Sequence, residues 1–548
     1  MSFPELLTLL PAPEIKEEYI ADGKVNLTVP DAVKASEEYC LTVAQYVRDN
    51  QNKLSVEKDI IPAVEFAMRL FNSENFSGSL SNKERQELAV IYKRFGEADL
   101  LEDCTAVKKA RMTKEELEVL EQQGLMEDLR AMCYQRLLTR DGEMPVPSVR
   151  LCGLLLCAVA LVSVDLDPSA SGISLDPRDE KQPLFPLTSI WRLRVYYRHQ
   201  LCLQHRAHTV FLQVSSCVDA LLSQPESAIT VATLLEISHV QQYYHRRDMA
   251  AATVRRAEKL SGLETEETSM MGVRTRWQQH QLVQMLLTAK SAREVPPDSE
   301  TEEQPNVING EKDGHDLLDR PRATPESEPV PVTPLHPEDK AIILSLCMDI
   351  ENRNPHHGLT QHHMMTYIER LVVDPAVSPF MVASQILLTR CRLEVSRNRV
   401  QERAHLQLTE LLDQFTITER EPERRTFARS GGDYFYCVPY PPIWTLRAEL
   451  AAMCFEENLF KTALDIYEAI QDWQNIIECC KKLDKRRRAE TLARDLLERD
   501  PANPMLWVAL GEATRDDQYL WKAWELSGHT VAAPMRVLGE TCLGPRAL

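Results

Sequence analysis

The sequence predicts an all-α protein, an α-solenoid with degenerate helix-pair repeats in its C-terminal third and a larger helical N-terminal region. Glycine supplies only 18 of 548 residues, whereas phosphate- and dinucleotide-binding folds place glycines at tight turns. Apolar residues recur at helical spacing through long stretches such as 191–222 and 228–260, and strand-like alternation is rare. A 34-residue period near the C-terminus indicates stacked helix pairs.

Residues 1–290 are expected to form a mostly helical N-terminal region. Its most apolar run, 151–164, has 14 residues, fewer than the roughly 18–20 that cross a bilayer, so we expect a buried helix. The first residues lack the basic and apolar segments of a secretory signal. The 14 cysteines include no CxxC pair, which favours reduced thiols in a cytoplasmic or also nuclear protein.

Residues 291–339 are expected to form a disordered acidic, Pro-rich linker. They contain 13 acidic and 4 basic side chains, nine prolines and no aromatic residue. Such a segment buries too little apolar surface to offset the chain entropy lost on folding. Nearly half of the net charge of −19 lies here. The rest is only mildly acidic, so we expect no general attraction to nucleic acid or to a membrane.

Residues 340–440 are expected to be helical again and contain a cluster of histidines. His356, His357, His362 and His363 lie within eight residues, which raises the possibility of a zinc site. No cysteine or carboxylate accompanies them in a recognised spacing. We therefore interpret them as surface or structural histidines, and we expect neither a metal nor a cofactor.

Residues 441–528 carry the repeat signal. Trp473 and Trp507 are 34 residues apart, as are Ala489 and Ala523, and each tryptophan precedes its alanine by 16 residues. These are the spacings of the tetratricopeptide repeat, in which a large residue lies on the first helix and a small one on the second. Two helices pack closely only where a small side chain lets their backbones approach. An ordinary helical bundle is the alternative.

Further positions fit the same pattern. Leu510 and Gly511 follow Trp507 as the W-x2-L-G part of the motif, and Pro501 lies where the preceding helix must stop. An earlier, shortened unit places large, small and aromatic residues at the expected offsets. The predicted repeat-packing residues are Leu450, Ala451, Phe460, Ala463, Tyr467, Trp473, Ala489, Pro501, Trp507, Leu510, Gly511 and Ala523.

The chain resembles the tetratricopeptide repeat protein 27 family, relatives of a fungal cell-wall-maintenance protein. The segment 472–527 carries most of this resemblance, and its ending KAWELS (522–527) is the most specific part. WRLRVYYRHQ (191–200), GVRTRWQ (272–278), NPHHGLT (354–360) and RCRLE (390–394) also resemble that family. The resemblance implies a co-chaperone-like part in assembling other proteins.

Two departures from the family pattern bear on function. Further repeats usually follow KAWELS, but residues 529–548 form a divergent tail that resembles a splice variant or altered reading frame. A truncated array would leave an apolar face uncovered and lower stability. The clamp that holds a chaperone's acidic tail would use positions 448, 452, 475, 505 and 509. Only Asn475 fits it, which argues against carboxylate-clamp binding.

One dense basic run stands at the predicted turn between two helices of a repeat. Its members are Lys481, Lys482, Lys485, Arg486, Arg487 and Arg488. Hydrated surface charge is the simplest interpretation. Docking of an acidic partner, or nuclear import or nucleic-acid contact, are the alternatives, although no interleaved aromatic residues support base stacking.

The sequence favours a non-enzymatic protein–protein interaction scaffold or adaptor that binds other proteins. No GxxxxGK[ST], GxGxxG, HExxH or GxSxG motif occurs, so the phosphate, dinucleotide, zinc-protease and hydrolase mechanisms tied to them lack support. Two alternatives remain: an enzyme with an unrecognised site in the N-terminal helical region, and a non-functional truncated product.

Overall fold

The computed structural model of the chain forms two compact units, 1–443 and 444–548. The structure describes residues 20–21, 24–25, 34, 38–43, 45–47, 60–77, 133–134, 136–163, 186–275, 277–296, 317–322, 332–355, 357–397, 400–413, 434–499, 501 and 503–543.

The first unit is built mainly of helices. Two two-residue strands, β1 (Ile20–Ala21) and β2 (Lys24–Val25), come first. The helices are α1 (Ile61–Asn72), α2 (Cys152–Ser163), α3 (Pro186–Cys202), α4 (His208–Leu222), α5 (Val231–Tyr243), α6 (Arg247–Ser261), α7 (Pro337–Arg353), α8 (Gly358–Val372), α9 (Phe380–Glu394) and α10 (Gln401–Asp413).

Most consecutive helices of this unit pack against each other: α1 with α2, α2 with α3, α3 with α4, and each successive pair from α5 to α10. Two of them are buried on nearly every face. In α9 only Arg392 lies outside the buried set, and α2 is buried from Cys152 to Val162 except at Val159. Within the apolar run 151–164, the described residues 152–163 therefore form a buried helix, as the length of the run predicts. Among the described helices, none combines the length and apolar character needed to cross a membrane.

A three-stranded antiparallel sheet, which the sequence analysis did not predict, interrupts the helices of this unit. Strand β3 (Glu264–Thr275) pairs with β4 (Leu282–Lys290), from Glu264 opposite Lys290 to Gly272 opposite Leu282. The left-handed Gly262 (φ +72°) ends α6 and turns the chain into β3. The N-terminal region is thus mostly helical, as expected, and this hairpin is a departure that the sequence analysis did not predict.

Part of the expected linker also has regular structure. Strand β5 (Leu317–Arg322) pairs with the far end of β3, with Val273 opposite Arg322 and Thr275 opposite Leu317. Thr333 donates to the carbonyl of Ala289, which ties the end of the segment to β4. The expectation of disorder fails for these parts. Residues 297–316 and 323–331 lie outside the described residues.

A buried ion network joins the sheet to the helices that follow it. The Asp374 carboxylate lies 3.0 Å from Lys340 Nζ and 2.8 Å from an Arg370 nitrogen. Arg370 also donates to the carbonyls of Thr333 and Ala289. Asp374 is 1% exposed and Lys340 fully buried. Lys340 and Asp374 thus compensate each other across two segments, and the bonds from Arg370 to Thr333 and Ala289 add links to the sheet.

The segment Trp191–Gln200 supplies a second buried polar cluster. Arg194 donates two hydrogen bonds, of 2.9 and 2.6 Å, to the Glu236 carboxylate on α5. Its guanidinium also lies 4.1 Å from the ring centre of Tyr436. Arg198 lies against Phe76 and Phe435, with the ring centres 4.2 and 5.0 Å away. These arginines hold distant segments together inside the unit.

The second unit is a row of short helices joined by tight turns. They are α11 (Ile443–Glu456, whose first residue belongs to the first unit), α12 (Phe460–Ile470), α13 (Trp473–Lys482), α14 (Arg486–Arg499), α15 (Pro504–Thr514), α16 (Asp517–Leu526) and α17 (Ala533–Leu543). From α12 onward, each helix packs against the next. The predicted helical architecture is confirmed, with the small sheet as its departure.

Candidate protein-binding surface

Small residues lie at the centre of the second unit. Ala451, Ala463, Ala489 and Ala523 are all completely buried. They lie on α11, α12, α14 and α16, where the repeat pattern requires a small residue. Leu450, Tyr467 and Leu510 are also buried, whereas Phe460 is half-buried and packs against Phe455 with ring centres 5.0 Å apart.

Gly511 lets α15 and α16 approach closely. A Cβ atom built on Gly511 would lie 2.8 Å from both Cγ and Cδ2 of Leu520, well inside van der Waals contact. Leu520 is itself buried, so its side chain has little room to move. The W-x2-L-G motif therefore ends in glycine because Leu520 of α16 occupies the space that a side chain at position 511 would need.

The two repeat tryptophans are both half-buried, but they stand at different positions in their helices. Trp473 is the half-buried first residue of α13, and Trp507 is half-buried on α15. The Trp507 indole N–H donates to the carbonyl of Pro501, 2.9 Å away. Its ring stacks on Tyr519, with centres 5.9 Å apart. Pro501 thus follows the end of α14, as predicted, and also holds the next tryptophan.

Left-handed residues end the helices of this unit at short intervals. Asn458, Gln471, Asp484 and Arg515 have φ between 54° and 63° and stand between successive helices. After each, the next backbone N–H bonds a carbonyl five residues back, as from Lys485 to Cys480. This is the Schellman pattern, which satisfies the free carbonyls of a helix end. It turns the chain sharply and leaves each turn at the surface.

The divergent tail contains a helix that packs on the last repeat. The sequence predicts an uncovered apolar face there, but α17 packs on α15 and α16. Leu538 joins the buried cluster of Val508, Leu520 and Ala523. Met535 and Val537 pack against the same cluster. The tail therefore covers apolar surface of the last helix pair with a helix of its own.

The basic run lies at the turn from α13 to α14, as predicted, and half of its charges already have partners. Lys481 contacts Glu478 and Glu512 at 2.7 and 2.8 Å. Burial alone would lower the pKa of Lys481, but these two carboxylates raise it. Arg488 pairs with Glu468 at 2.6 Å and Arg486 with Asp484 at 3.0 Å.

Three cations of the run remain free. Within the part of the chain that the structure describes, Lys482, Lys485 and Arg487 are exposed and form no ion pair. Residues 484–488 line an open depression at the surface. We call the surface formed by Lys482, Lys485, Arg486 and Arg487 the basic corner. It can attract carboxylates or other anions without first breaking an internal ion pair, except at Arg486.

The clamp position and the histidine cluster hold no ligand-binding arrangement. The Asn475 amide donates to Asp472, which caps the start of α13. His357 caps α8, and His363 bonds Glu267 at 2.7 Å. No group of three metal-ligand side chains occurs among the described residues, from which His356 is missing.

The described cysteines do not support a catalytic thiol. Twelve cysteines of the described residues are buried thiols that form no disulfide. Burial raises the pKa of the Cys479 thiol to about 11 and also raises that of its neighbour Cys480. Both thiols therefore stay protonated at neutral pH, whereas nucleophilic cysteines have a lowered pKa.

Sequence reasoning missed a second exposed surface, at the far end of the β3–β4 hairpin. Trp277 is 75% exposed and Val283 is 68% exposed, and Met271, Leu282 and Met285 are exposed beside them. Met271 lies directly opposite Val283 in the register. Nearer its base the same face is buried at Leu287 and Ala289. The alternation of Val283, Met285, Leu287 and Ala289 was the available signal, but Leu282 and Leu286 obscured it.

Comparison with known proteins gives relatives but no family model, since none matches the chain. A TPR repeat-containing protein of Schizosaccharomyces pombe is 28% identical over 402 residues, 65% of this chain and 49% of the relative. A tetratricopeptide repeat protein 27 homolog of Dictyostelium discoideum is 28% identical over 315 residues, 56% of this chain and 36% of the relative.

A tetratricopeptide repeat-containing protein of Caenorhabditis elegans is 29% identical over 318 residues, which are 56% of this chain and 40% of the relative. The matched part is thus at most about half the length of these three relatives. Their names agree with the helix hairpins, buried alanines and Gly511 contact of the second unit. The chain is therefore a homologue of tetratricopeptide repeat proteins, including the Dictyostelium tetratricopeptide repeat protein 27 homolog, and the predicted resemblance is confirmed.

Proposed function

We propose that this chain is a non-enzymatic adaptor that binds other proteins through its second unit and serves in their assembly. The observation that carries the proposal is the row of helix hairpins from α11 to α17. Its interior is fixed by small buried residues, and its turns and outer helix faces remain at the surface. Helical repeat proteins bind partners on surfaces of this kind.

The relatives support the coarser part of this proposal, because their names describe repeat proteins and tetratricopeptide repeats generally bind proteins. The assembly role rests on the sequence resemblance alone. The same proposal places the chain in the cytoplasm, also in the nucleus, without nucleic acid or a membrane as its partner. The acidic net charge of −19 supports this, because it repels other polyanions.

The test is affinity isolation of the full chain beside the variant Ala523→Arg. Ala523 is completely buried between helices, so a charged side chain there should unfold the second unit. We expect the variant to lose most of the partner proteins that the natural sequence recovers, as measured by quantitative mass spectrometry. Hydrogen exchange would verify that the first unit remains folded.

The matched control is Ala452→Arg, which adds the same side chain at an exposed alanine of α11. It should keep the partners and the unfolding temperature. Recovery of the complete partner set by Ala523→Arg, with the second unit shown to be unfolded, would place binding outside that unit and refute the proposal.

A further inference from the structure

We infer that the basic corner is the docking site for an acidic, Asp- or Glu-rich segment of a partner protein. This inference rests on the proposed function and names the partner chemistry of one surface. Lys482 ends α13, Lys485 stands in the turn, and Arg486 and Arg487 begin α14. Four cations thus lie within six residues on either side of the left-handed Asp484.

The placement of the arginines is unfavourable for the isolated helix. The start of a helix carries partial positive charge, so carboxylates stabilise it and cations do not. Side-chain caps begin the neighbouring helices: the carboxylates of Asp472 and Asp516 cap α13 and α16, and the neutral Asn503 caps α15. Helix α14 begins with three arginines and, like α13 and α15, has no acidic residue in its first turn.

Internal pairing does not relieve this charge. Lys481 and Arg488 have carboxylate partners on other helices, Glu512 and Glu468. Among the described residues, Arg486 pairs only with Asp484, which is two residues away and 82% exposed. The remaining cations, Lys482, Lys485 and Arg487, form no ion pair within the described residues. An external carboxylate would therefore satisfy both the cations and the start of α14.

The charge around the corner selects a short acidic segment over an extended polyanion. Residues 444–548 contain 14 basic and 17 acidic side chains, and outside 481–488 the counts are 8 and 16. A nucleic acid or an anionic membrane would reach beyond the corner, where the excess of acidic side chains repels it. A short peptide segment contacts the corner alone, within a Debye length of about 8 Å at physiological salt.

The experiment measures binding of a fluorescein-labelled peptide of alternating Glu and Ser residues to the full chain by fluorescence anisotropy. We expect binding that weakens between about 50 and 200 mM salt, since it rests on charge. The variant Lys482→Glu/Lys485→Glu/Arg487→Glu should lose at least about tenfold in affinity. Unchanged unfolding temperature would verify its fold.

The matched control is Lys461→Glu/Arg515→Glu/Arg536→Glu, which makes the same charge change at exposed residues elsewhere in the second unit. Its affinity should stay within about twofold of the natural sequence. Equal loss in both variants, or no binding at low salt, would overturn the inference. Tighter binding of an RNA duplex or a phosphatidylserine vesicle than of the peptide would also overturn it.

The two proposals can fail separately. If Ala523→Arg loses the cellular partners while the triple reversal at the corner keeps both them and the peptide, the adaptor function stands and the corner is not the docking site. If both variants keep every partner, both proposals fail.

Discussion

The two units of the molecule hold their helices together by different means. In the first unit, charged side chains are buried between segments, as where Asp374 meets Lys340 and Arg370. In the second unit, Ala489, Ala523 and Gly511 let helices approach, and the ion pair from Lys481 to Glu512 is partly exposed. Buried charge pairs add to an apolar core in the first unit, whereas small residues set the helix spacing in the second.

This difference separates stability from surface chemistry. A buried charge must keep its partner, so the first unit ties many of its polar residues to its own structure. The second unit needs only small residues inside and a left-handed turn between helices. Its surface charges, including Lys482 and Lys485, are free to serve another purpose. The predictions below test this contrast, from the largest expected effect to the smallest.

Asp374→Asn should produce the largest loss. The change keeps the shape of the side chain but leaves Lys340 and Arg370 buried without their carboxylate. Breaking a buried pair in this way costs about 3–5 kcal/mol of unfolding free energy. Chemical denaturation followed by circular dichroism would measure it, with hydrogen exchange locating the loss in the first unit.

The control for this prediction is Asp349→Asn, which removes the partner of Arg353 within α7. That pair is of the i,i+4 type and its arginine is 40% exposed, so the loss should stay below about 1 kcal/mol. Similar losses in both variants would mean that burial of the Asp374 network does not matter.

His239 should make the stability of the first unit depend on pH. Burial lowers the pKa of His239 to about 4, although its hydrogen bond to the carbonyl of Cys437 opposes the shift. The unfolded chain takes up the proton near pH 6.5 and the folded chain only near pH 4. His239 therefore does not reduce the unfolding free energy above pH 6.5, and that free energy falls as the pH drops from 6.5 toward 4.

A pKa lowered from 6.5 to about 4 corresponds to a loss of about 3 kcal/mol of unfolding free energy as the pH falls through this interval. His239→Gln keeps a donor for the Cys437 carbonyl and cannot titrate. The natural sequence should lose about that much more unfolding free energy than the variant between pH 7 and pH 4. Parallel curves of unfolding free energy against pH for the natural sequence and the variant would contradict the lowered pKa of His239.

Gly511→Ala tests the shape-based packing of the second unit. The added Cβ would lie 2.8 Å from Leu520 atoms, and overpacking of this kind costs about 1–3 kcal/mol. Alanine's higher helix propensity returns up to about 1 kcal/mol. We expect a net loss of about 1–2 kcal/mol by thermal unfolding, confined to the second unit.

Gly539→Ala is the matched control, since nothing lies within 4 Å of its added Cβ in α17. It should stabilise the chain by up to about 1 kcal/mol. If Gly511→Ala also stabilised the chain, the close approach of α15 and α16 would not be required.

Lys481→Gln should have the smallest effect. Its ion pairs with Glu478 and Glu512 are partly exposed, and such pairs contribute less than about 1 kcal/mol. A double-mutant cycle with Glu512→Gln would measure the coupling between α13 and α15. A coupling above about 2 kcal/mol would mean that charge also fixes the second unit.

The sequence predicted the parts of the fold that depend on local pattern. The 34-residue period located the helix hairpins, the turn at 481–488 and the break at Pro501, because each requires a particular residue type at a fixed offset. The length and composition of 151–164 predicted a buried helix. Helical periodicity also predicted the helical stretches 191–222 and 228–260, but not the break that divides each into two helices.

Other features depend on tertiary contacts that no local pattern encodes. The sheet was missed because the outer half of β4 is exposed, so apolar residues occupy both of its faces. The helix in the tail was missed because Gly539 and its short length weaken the helical signal, and packing against Val508 and Leu520 stabilises it. The sequence also did not show which basic residues of the run have partners, because the carboxylates of Glu468 and Glu512 come from helices distant in sequence.

Cross-linking of isolated complexes, read by mass spectrometry, tests the central claim most directly. If the second unit binds partner proteins, cross-links from partner peptides should concentrate on its lysines, Lys461, Lys481, Lys482, Lys485 and Lys522. Exposed Lys259 and Lys290 of the first unit provide the internal comparison. Partner cross-links that fall on Lys259 and Lys290 and spare residues 444–548 would contradict the account.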